Sequence, residues 1–254
     1  MGGRPPVPHG GGVSLAERFS AALAAETDDE DDGHLLPDRL ARAAARLLVA
    51  EGAGISVLSG PHGRSPLGAS SPDAARAERL QFTVGSGPCL LAHESGQPVF
   101  VVEQDIRRRW PAFADLLLTT TPFHGIVSLP LRGPISGALN LFFRDAGAVA
   151  RLDVFDAVTV GDLVLSALGD AAMWSDWSAA AGPDWLSSPP ALRRAAVWQA
   201  VGRTSIALGL GAPEALALLR AHAYAGNRSL DSVAADLISG RLVPADVVDR
   251  PGDS

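Results

Sequence analysis

The chain has 254 residues, of which 47% are hydrophobic and 19% are charged, and its net charge is −7 at pH 7. This length and composition fit one large or two modest globular domains with a buried core, and no uninterrupted apolar run approaches the roughly 18 residues of a membrane span. The first residues hold no apolar segment after a basic one, as a secretory signal would, and the single cysteine excludes an internal disulfide or a cysteine-rich zinc site. We therefore expect a cytoplasmic protein.

Two helices are predicted near the start of the chain. Residues 1–12 are rich in glycine and proline and are predicted to be disordered. Apolar residues then recur every four positions from Leu15, directly after Ser14, which is a suitable N-cap. A second amphipathic helix is predicted from about Pro37, because proline is favoured in a first turn. The acidic loop between them lacks the spaced ligands and the terminal glutamate of a calcium loop and is interpreted as a solvated connector.

Strand-like patterns follow the second helix. Strands are predicted for GISVLS, PVFVVE, GIVSLPLR and GALNLFFR, the last two forming a hairpin around GPIS. The stretch RLQFTVGSGPC also alternates like a strand before it breaks at Gly85 and at Gly87. Helices are predicted for LLAHES, for WPAFADLLLTT and from about Asp153 to Trp177. Residues 13–178 are therefore predicted to form an α+β domain with a central antiparallel sheet flanked by helices.

An all-helical segment is predicted at the C-terminal end of the chain. Residues 179–190 are rich in alanine, serine, glycine and proline and are predicted to be a linker, and residues 191–246 to form a second, small domain. Residues 189–242 hold six arginines against three acidic residues, so this segment alone has a charge that favours a phosphate backbone. Apolar residues at helical spacing predict helices over residues 192–210, 213–224 and 230–242.

Several short motifs occur in order within this segment. They are QAVG at 199–202, EAL at 214–216, LRA at 219–221, Tyr224, RSL at 228–230 and VA at 233–234. In this combination the segment resembles the ANTAR family, the RNA-binding output domain of bacterial transcription antiterminators. The resemblance implies an all-α three-helix domain that dimerises through its first helix and binds tandem hairpins in the leader of a messenger RNA. It implies RNA contacts at Ala200, Gly202, Arg220, Tyr224, Arg228 and Ser229.

The residues around Asn227 have the chemistry that RNA recognition needs. Arginine and aromatic side chains bind backbone phosphates and unpaired bases, and Arg220 and Tyr224 are four residues apart on one helical face. The start of the helix after Ser229 adds N–H groups and a positive dipole that favour a phosphate. Three alternatives stay open. The arginine and tyrosine side chains lie at the solvated border of the core, Ser229 serves only as a helix cap, and the small residues of the first helix allow tight helix packing.

The upstream region carries a second set of motifs. It includes LPDRLARAAARLL, GAGISV, PLGASSPDAARAERLQFTVGSGPCLLAHESGQPVFV, RWPAFA and TPFHGIVSLPLR, and it spans most of residues 35–170. These motifs resemble a GAF domain, which implies a sensor able to hold an unidentified small-molecule ligand against its sheet. The sequence shows no catalytic constellation and no metal-ligand spacing, so we predict neither an enzyme nor a metal site, and no other cofactor. Candidate residues for the ligand pocket are Phe82, Cys89, His93, Phe123, His124 and Ser128.

Together the motifs predict a homodimeric regulator that binds RNA under the control of a GAF-like sensor, with the GAF helices as a further candidate dimer interface. Arg203, Thr204 and Ser205 depart from the ANTAR pattern, which has hydrophobic residues there, so they either weaken the dimer or extend the RNA-binding surface. The alternative function is a small-molecule sensor whose helical domain serves dimerisation or DNA binding. Leu230 and Asp231, which open the last predicted helix, are poorly suited to read DNA bases.

Overall fold

The computed structural model describes residues 13–26, 36–59, 63–133, 135–174 and 189–248. The predicted disordered N-terminus, the acidic loop and most of the predicted linker lie outside these segments. Pro189 and Pro190, at the end of the predicted linker, already belong to a helix. The predicted boundaries between the domains stay predictions.

Two N-terminal helices form at the predicted positions. The first, α1 (Leu15–Ala24), begins at a capping box in which the Ser14 hydroxyl accepts the N–H of Glu17 and the Glu17 carboxylate accepts the N–H of Ser14. These bonds satisfy N–H groups that a helix start would otherwise leave unpaired. The second, α2 (Leu36–Leu47), follows with a buried, alanine-rich face.

The centre of the larger domain is a five-stranded antiparallel sheet with the strand order β2-β1-β5-β4-β3. The predicted hairpin is present, with Gly125 opposite Phe143 and Arg132 opposite Ser136. The predicted central antiparallel sheet flanked by helices is confirmed, although the segment that forms β2 contains glycine and proline and shows no strand pattern in the sequence. The strands are β1 (Gly52–Ser59), β2 (Gly63–Ala69), β3 (Val99–Val102), β4 (Gly125–Arg132) and β5 (Ser136–Phe143).

Helices cover both faces of the sheet, because alternate residues of each strand point to opposite sides. One face, which includes Ile126 and Phe142, packs beneath four helices. These are α3 (Pro72–Val84), α4 (Pro88–Ser95), α5 (Glu103–Arg109) and α6 (Pro111–Thr120). The other face, which includes Leu129 and Leu141, packs against α1, α2, α7 (Ala146–Arg151) and α8 (Val154–Trp174).

The strand predicted from RLQFTV is wrong, because these residues form the last part of α3. The helix begins with Ser71 as its N-cap and Pro72 in its first turn. It ends at Gly85, whose φ of 75° is left-handed. The apparent alternation is part of a longer helical pattern. Its buried residues are Ala74, Ala77, Glu78, Gln81, Phe82 and Thr83.

Three helices and a short 3-10 helix form the C-terminal domain, in agreement with the predicted helical segment. The last α-helix is shorter than predicted, because Gly240 adopts a left-handed φ of 79° and ends it. None of the described helices is both long and apolar enough to cross a membrane. The elements are α9 (Pro189–Leu208), α10 (Ala212–Ala225), α11 (Leu230–Ser239) and the 3-10 helix (Pro244–Val247).

Candidate functional site

The two domains meet where the C-terminal end of α3 enters the helical domain. Phe82 of α3 is 1% exposed and belongs to the hydrophobic core that the C-terminal helices form. The guanidinium of Arg194 lies 3.2 Å from the centroid of the Phe82 ring, and that of Arg220 lies 5.4 Å from it. Such cation–π contacts are strongest where water is excluded, and Arg194 is itself buried. We call the contacts of Phe82, Thr83 and Gly85 with the helical domain the joint.

Arg220 binds the C-terminal end of α3 at the joint. Its Nε donates a hydrogen bond to the carbonyl oxygen of Phe82 at 3.1 Å. The last carbonyls of a helix lack helical partners and carry partial negative charge, so an arginine is favoured there. Gly85 leaves room for this side chain, because a Cβ at that position would lie 2.7 Å from Arg220 Nη1. Arg220, a predicted RNA contact, is thus held by the α+β domain.

The start of α11 is also engaged at the joint. The N–H of Leu230, the first residue of α11, donates to Thr83 Oγ1 at 3.3 Å. The Ser229 hydroxyl caps the same helix by accepting the N–H of Ser232 at 3.1 Å. Two N–H groups that this helix start would offer to a phosphate therefore already have partners.

Tyr224 and Arg228 differ in how accessible their side chains are to an RNA ligand. Tyr224 is 42% exposed. Arg228 Nη2 donates to Ser232 Oγ at 2.7 Å and also to the carboxylate of Asp236. Hydrogen bonds from Arg228 and from Arg241 hold the pKa of Asp236 below its ordinary value. The Arg228 guanidinium is therefore already paired with a carboxylate, which competes with an RNA phosphate for it.

The turn between α10 and α11 is made by Asn227 rather than by the glycine before it. Asn227 has a φ of 49°, whereas Gly226 has a φ of −84°. Asparagine visits this left-handed region more readily than most residues. The N–H of Arg228 then donates to the Ala223 carbonyl at 2.8 Å and closes the turn, so that Arg228 and Ser229 leave it towards α11.

The two small residues of α9 have different surroundings. Ala200 is fully buried within the helical domain. Around Gly202, by contrast, nothing lies within 4 Å of a Cβ built on the backbone. Helix packing therefore explains the small residue at Ala200 but not at Gly202, where the backbone is open to the close approach of another molecule.

Arg203, Thr204 and Ser205 make contacts inside the helical domain. Arg203 Nη1 donates to the carbonyl of Leu237 at 2.9 Å, near the end of α11. Thr204 is fully buried, and Ser205 Oγ donates to the carbonyl of Leu210 at 2.6 Å. Arg203 thus joins α9 to α11, and Ser205 binds the loop that follows α9. The effect of the three residues on dimerisation or RNA binding stays a prediction.

A buried polar cluster lies between the sheet and α3, where the sequence predicts a ligand pocket. Ser128 Oγ donates to Asn140 Oδ1 at 2.6 Å, and Asn140 Nδ2 donates to Glu78 Oε1 at 2.6 Å. Gly54 on β1 makes room for Glu78, because a Cβ there would lie 2.5 Å from Glu78 Cγ. Buried polar groups are costly unless they are paired, so this cluster fixes the position of α3 on the sheet.

Cys89 and Phe123 belong to the same layer of the domain. The backbone N–H of Cys89 donates to Gln81 Oε1 at 3.1 Å, and its Sγ lies 3.4 Å from Ser56 Oγ. The ring of Phe123 stacks on that of Phe142, with centroids 5.1 Å apart. Both candidates are buried, and both contact neighbouring side chains of the core.

The two histidine candidates make separate contacts. His124 Nδ1 lies 2.8 Å from Glu103 Oε2, and 45% of the His124 side chain is exposed. Hydrogen bonds from His124 and from Arg107 hold the pKa of Glu103 below its ordinary value. The carbonyl of His93 accepts a hydrogen bond from Arg132 at 2.6 Å. Among the described residues, no group of three or more His, Cys, Asp or Glu is placed to hold a metal ion.

A cavity of about 300 Å³ lies beside the joint. Its walls come from α2, β2 and α3 on one side and from α9 and α11 on the other. Cavities between domains are frequent ligand sites. Charged residues from both domains line it, among them Asp38, Glu78, Arg79, Arg193, Arg194 and Asp231.

A comparison with solved structures finds a distant likeness. The chain is similar to the GAF domain of a phosphoenolpyruvate-protein phosphotransferase from Coxiella burnetii, with 14% identity over 62% of this chain and 98% of that chain, and a TM-score of 0.38. No protein-family model and no curated protein matches the chain. A likeness at this TM-score assigns neither fold nor function, so the GAF and ANTAR resemblances stay predictions.

Sequence reasoning misses most residues of the joint and of the buried polar cluster. Glu78 and Asn140 are 62 residues apart and meet only where α3 packs on the sheet, and Thr83 and Leu230 are 147 residues apart. The sequence does contain one local signal for α3, because Ser-Pro-Asp at 71–73 is a typical helix start. No local pattern distinguishes the buried Arg194 from its exposed neighbours.

Proposed function

We propose that the chain is an RNA-binding transcription antitermination regulator, in which a GAF-like α+β domain controls access to an ANTAR-like helical domain. The observation that carries this proposal is the joint, where the end of α3 holds Arg220, one of the residues implied for RNA contact. The α+β domain thereby touches one of the residues that the resemblance assigns to RNA, and also the first residue of the helix that follows Ser229. A change in the position of α3 therefore alters the RNA-binding surface directly.

RNA phosphates and α3 compete for the same groups. Arg220 donates to the end of α3, and the N–H of Leu230 donates to Thr83. A guanidinium and a helix start are both general phosphate ligands, so docking of α3 and full engagement of RNA exclude each other. Tyr224 is exposed and the backbone at Gly202 is open, so these two supply the contacts that RNA reaches first.

A gel-shift assay with the full chain tests RNA binding itself. It compares an RNA with two tandem hairpins, the same RNA with altered loops, and duplex DNA. We expect the intact hairpin RNA to bind best, because unpaired loop bases are read together with the phosphates. Equal binding to all three, or binding to none, would contradict the proposal.

A second candidate function is a small-molecule sensor whose helical domain serves dimerisation or DNA binding. Dimerisation is favoured by Leu192 and Ile206 of α9, which are 59% and 86% exposed. Their spacing is about four helical turns, so both lie on one side of α9, where a second copy can cover them. A dimer in sedimentation experiments together with no RNA preference in the gel shift would favour this candidate, and tighter binding to duplex DNA would favour its DNA-binding form.

A further inference from the structure

The cavity beside the joint, which we call the joint cavity, combines charged and apolar walls. Its volume of about 300 Å³ is at the lower end of the range of small-molecule sites. Pro66, Pro72 and Ala75 supply apolar surface from the α+β domain. Arg79 of α3 and Arg193 of α9 supply a guanidinium group from each domain. A ligand in the joint cavity would therefore contact both domains at once.

Two of the three acidic residues that line the joint cavity accept hydrogen bonds within the protein, and the third, Asp231, faces a buried arginine. Asp38 Oδ1 accepts a backbone N–H of β2 at 2.7 Å. Glu78 Oε1 accepts the Asn140 amide at 2.6 Å, in the buried polar cluster. Asp231 Oδ1 lies 4.0 Å from Arg194 Nη1, and both side chains are at most 10% exposed. Water screens such a pair weakly, and the negative charge of Asp231 acts on Arg194 and also on Arg79.

Two arginines of the joint cavity have no such counter-charge in contact. In the described part of the chain, neither Arg79 nor Arg193 lies within ion-pair distance of a carboxylate. Arg79 is half-buried, and burial lowers its pKa below the ordinary value; Asp231 opposes this shift, whereas Arg193 and Arg76 add to it. A guanidinium nevertheless stays protonated in proteins, so this wall of the cavity keeps a positive charge that an anion would neutralise.

We propose that the joint cavity binds a small organic anion, whose phosphate or carboxylate head lies against Arg79 and Arg193. The apolar body of the ligand lies against Pro66, Pro72 and Ala75. The N-terminal end of α3 borders the same cavity, and its dipole favours negative charge there. This site does not depend on RNA being the partner. Because its walls belong to both domains, the ligand stabilises their docked arrangement.

Calorimetric titration of the full chain tests the proposal. Phenyl phosphate and phenylacetate are the anionic probes, and benzyl alcohol is the uncharged control of similar size. We expect one site per chain for an anionic probe, none for benzyl alcohol, and a higher midpoint of thermal unfolding when the anion is present. The anion that binds more tightly identifies the head group as a phosphate or a carboxylate.

Arg79→Gln and Arg76→Gln are matched variants that locate the site. Each variant removes one positive charge from α3, and the two positions are about one helical turn apart. Of the two residues, only Arg79 lines the joint cavity. We expect Arg79→Gln to weaken binding of the anionic probe about tenfold or more, the effect of one charge-assisted hydrogen bond, and Arg76→Gln, which removes a nearby charge but no contact, to weaken it much less.

Arg193→Gln provides an independent variant on the other wall, at an exposed position of α9. It should weaken probe binding to a similar degree, which keeps the test decisive if Arg79→Gln does not fold. An equal loss of binding in Arg76→Gln, or no detectable binding of either anion to the unaltered chain at millimolar concentration, would overturn the proposal.

Discussion

Arginine side chains of the helical domain have several kinds of partner. Arg194 is buried against the ring of Phe82, and Arg220 binds that ring and a carbonyl of α3. Arg228 pairs with the carboxylate of Asp236. The same guanidinium donors suit an aromatic ring, a carbonyl, a carboxylate or a phosphate. An excess of arginine in a segment therefore indicates positive charge but does not tell which side chains are open to RNA.

Gly54→Ala and Gly202→Ala are expected to change stability in opposite directions. A Cβ at position 54 would lie 2.5 Å from Glu78 Cγ in the buried polar cluster, so the variant should lose about 1–3 kcal/mol of unfolding free energy. Gly202 is surrounded by open space in α9, so alanine should add about 0.5–1 kcal/mol through helix propensity. Urea denaturation measures both changes.

The same Gly202→Ala variant separates packing from RNA contact. If RNA backbone approaches α9 at this position, the added methyl group should weaken hairpin binding in the gel shift even though the domain is more stable. Hairpin affinity equal to that of the unaltered chain would remove Gly202 from the contact residues.

At the scale of single elements, α3 connects the sheet to the helical domain. Its middle is fixed to the sheet through Glu78, and its C-terminal end enters the helical core through Phe82. Its N-terminal half borders the joint cavity. Closely packed side chains transmit a displacement rather than absorb it, so a shift of α3 on the sheet would change the joint and the cavity together.

Thr83→Val is expected to strengthen RNA binding by weakening the hold of α3 on α11. The substitution keeps the shape of the side chain but removes the acceptor of the Leu230 N–H, and the loss of this hydrogen bond costs the docked state about 1–3 kcal/mol. The dissociation constant for hairpin RNA should fall roughly fivefold or more. Thr119→Val, at an exposed position of α6, is the matched control and should bind as the unaltered chain does. Unchanged or weaker binding by a folded Thr83→Val variant would argue against control through the joint.

Over the whole molecule, the two domains share part of one hydrophobic core. Phe82 belongs by sequence to the α+β domain but is buried among the residues of the helical domain, including Leu219 and Val233. Cooperative unfolding extends across an interface when its contacts are comparable to those within a domain. The joint therefore couples the stability of the two domains.

Phe82→Ala is expected to uncouple the domains in thermal unfolding. Removing the ring costs about 3–5 kcal/mol of packing and also the contacts with Arg194 and Arg220. Calorimetry should show one main transition for the unaltered chain and two separated transitions for the variant. Phe155→Ala, at an aromatic position of α8 that is 85% exposed, is the control and should keep a single transition. One transition that merely moves to lower temperature in Phe82→Ala would speak against coupling through this residue.

The sequence alone determined the division into an α+β part and a helical part, the hairpin of β4 and β5, and the three C-terminal helices. These features follow from periodicity, caps and turns, which act within a few residues. Only the tertiary structure decided that α3 is the link between the domains, that Arg220 is held at the joint, and that a charged cavity lies beside it. The decisive hydrogen bonds join residues 62, 138 and 147 positions apart. Local periodicity shows which face of a helix is buried, but the residue that it is buried against depends on how distant segments pack.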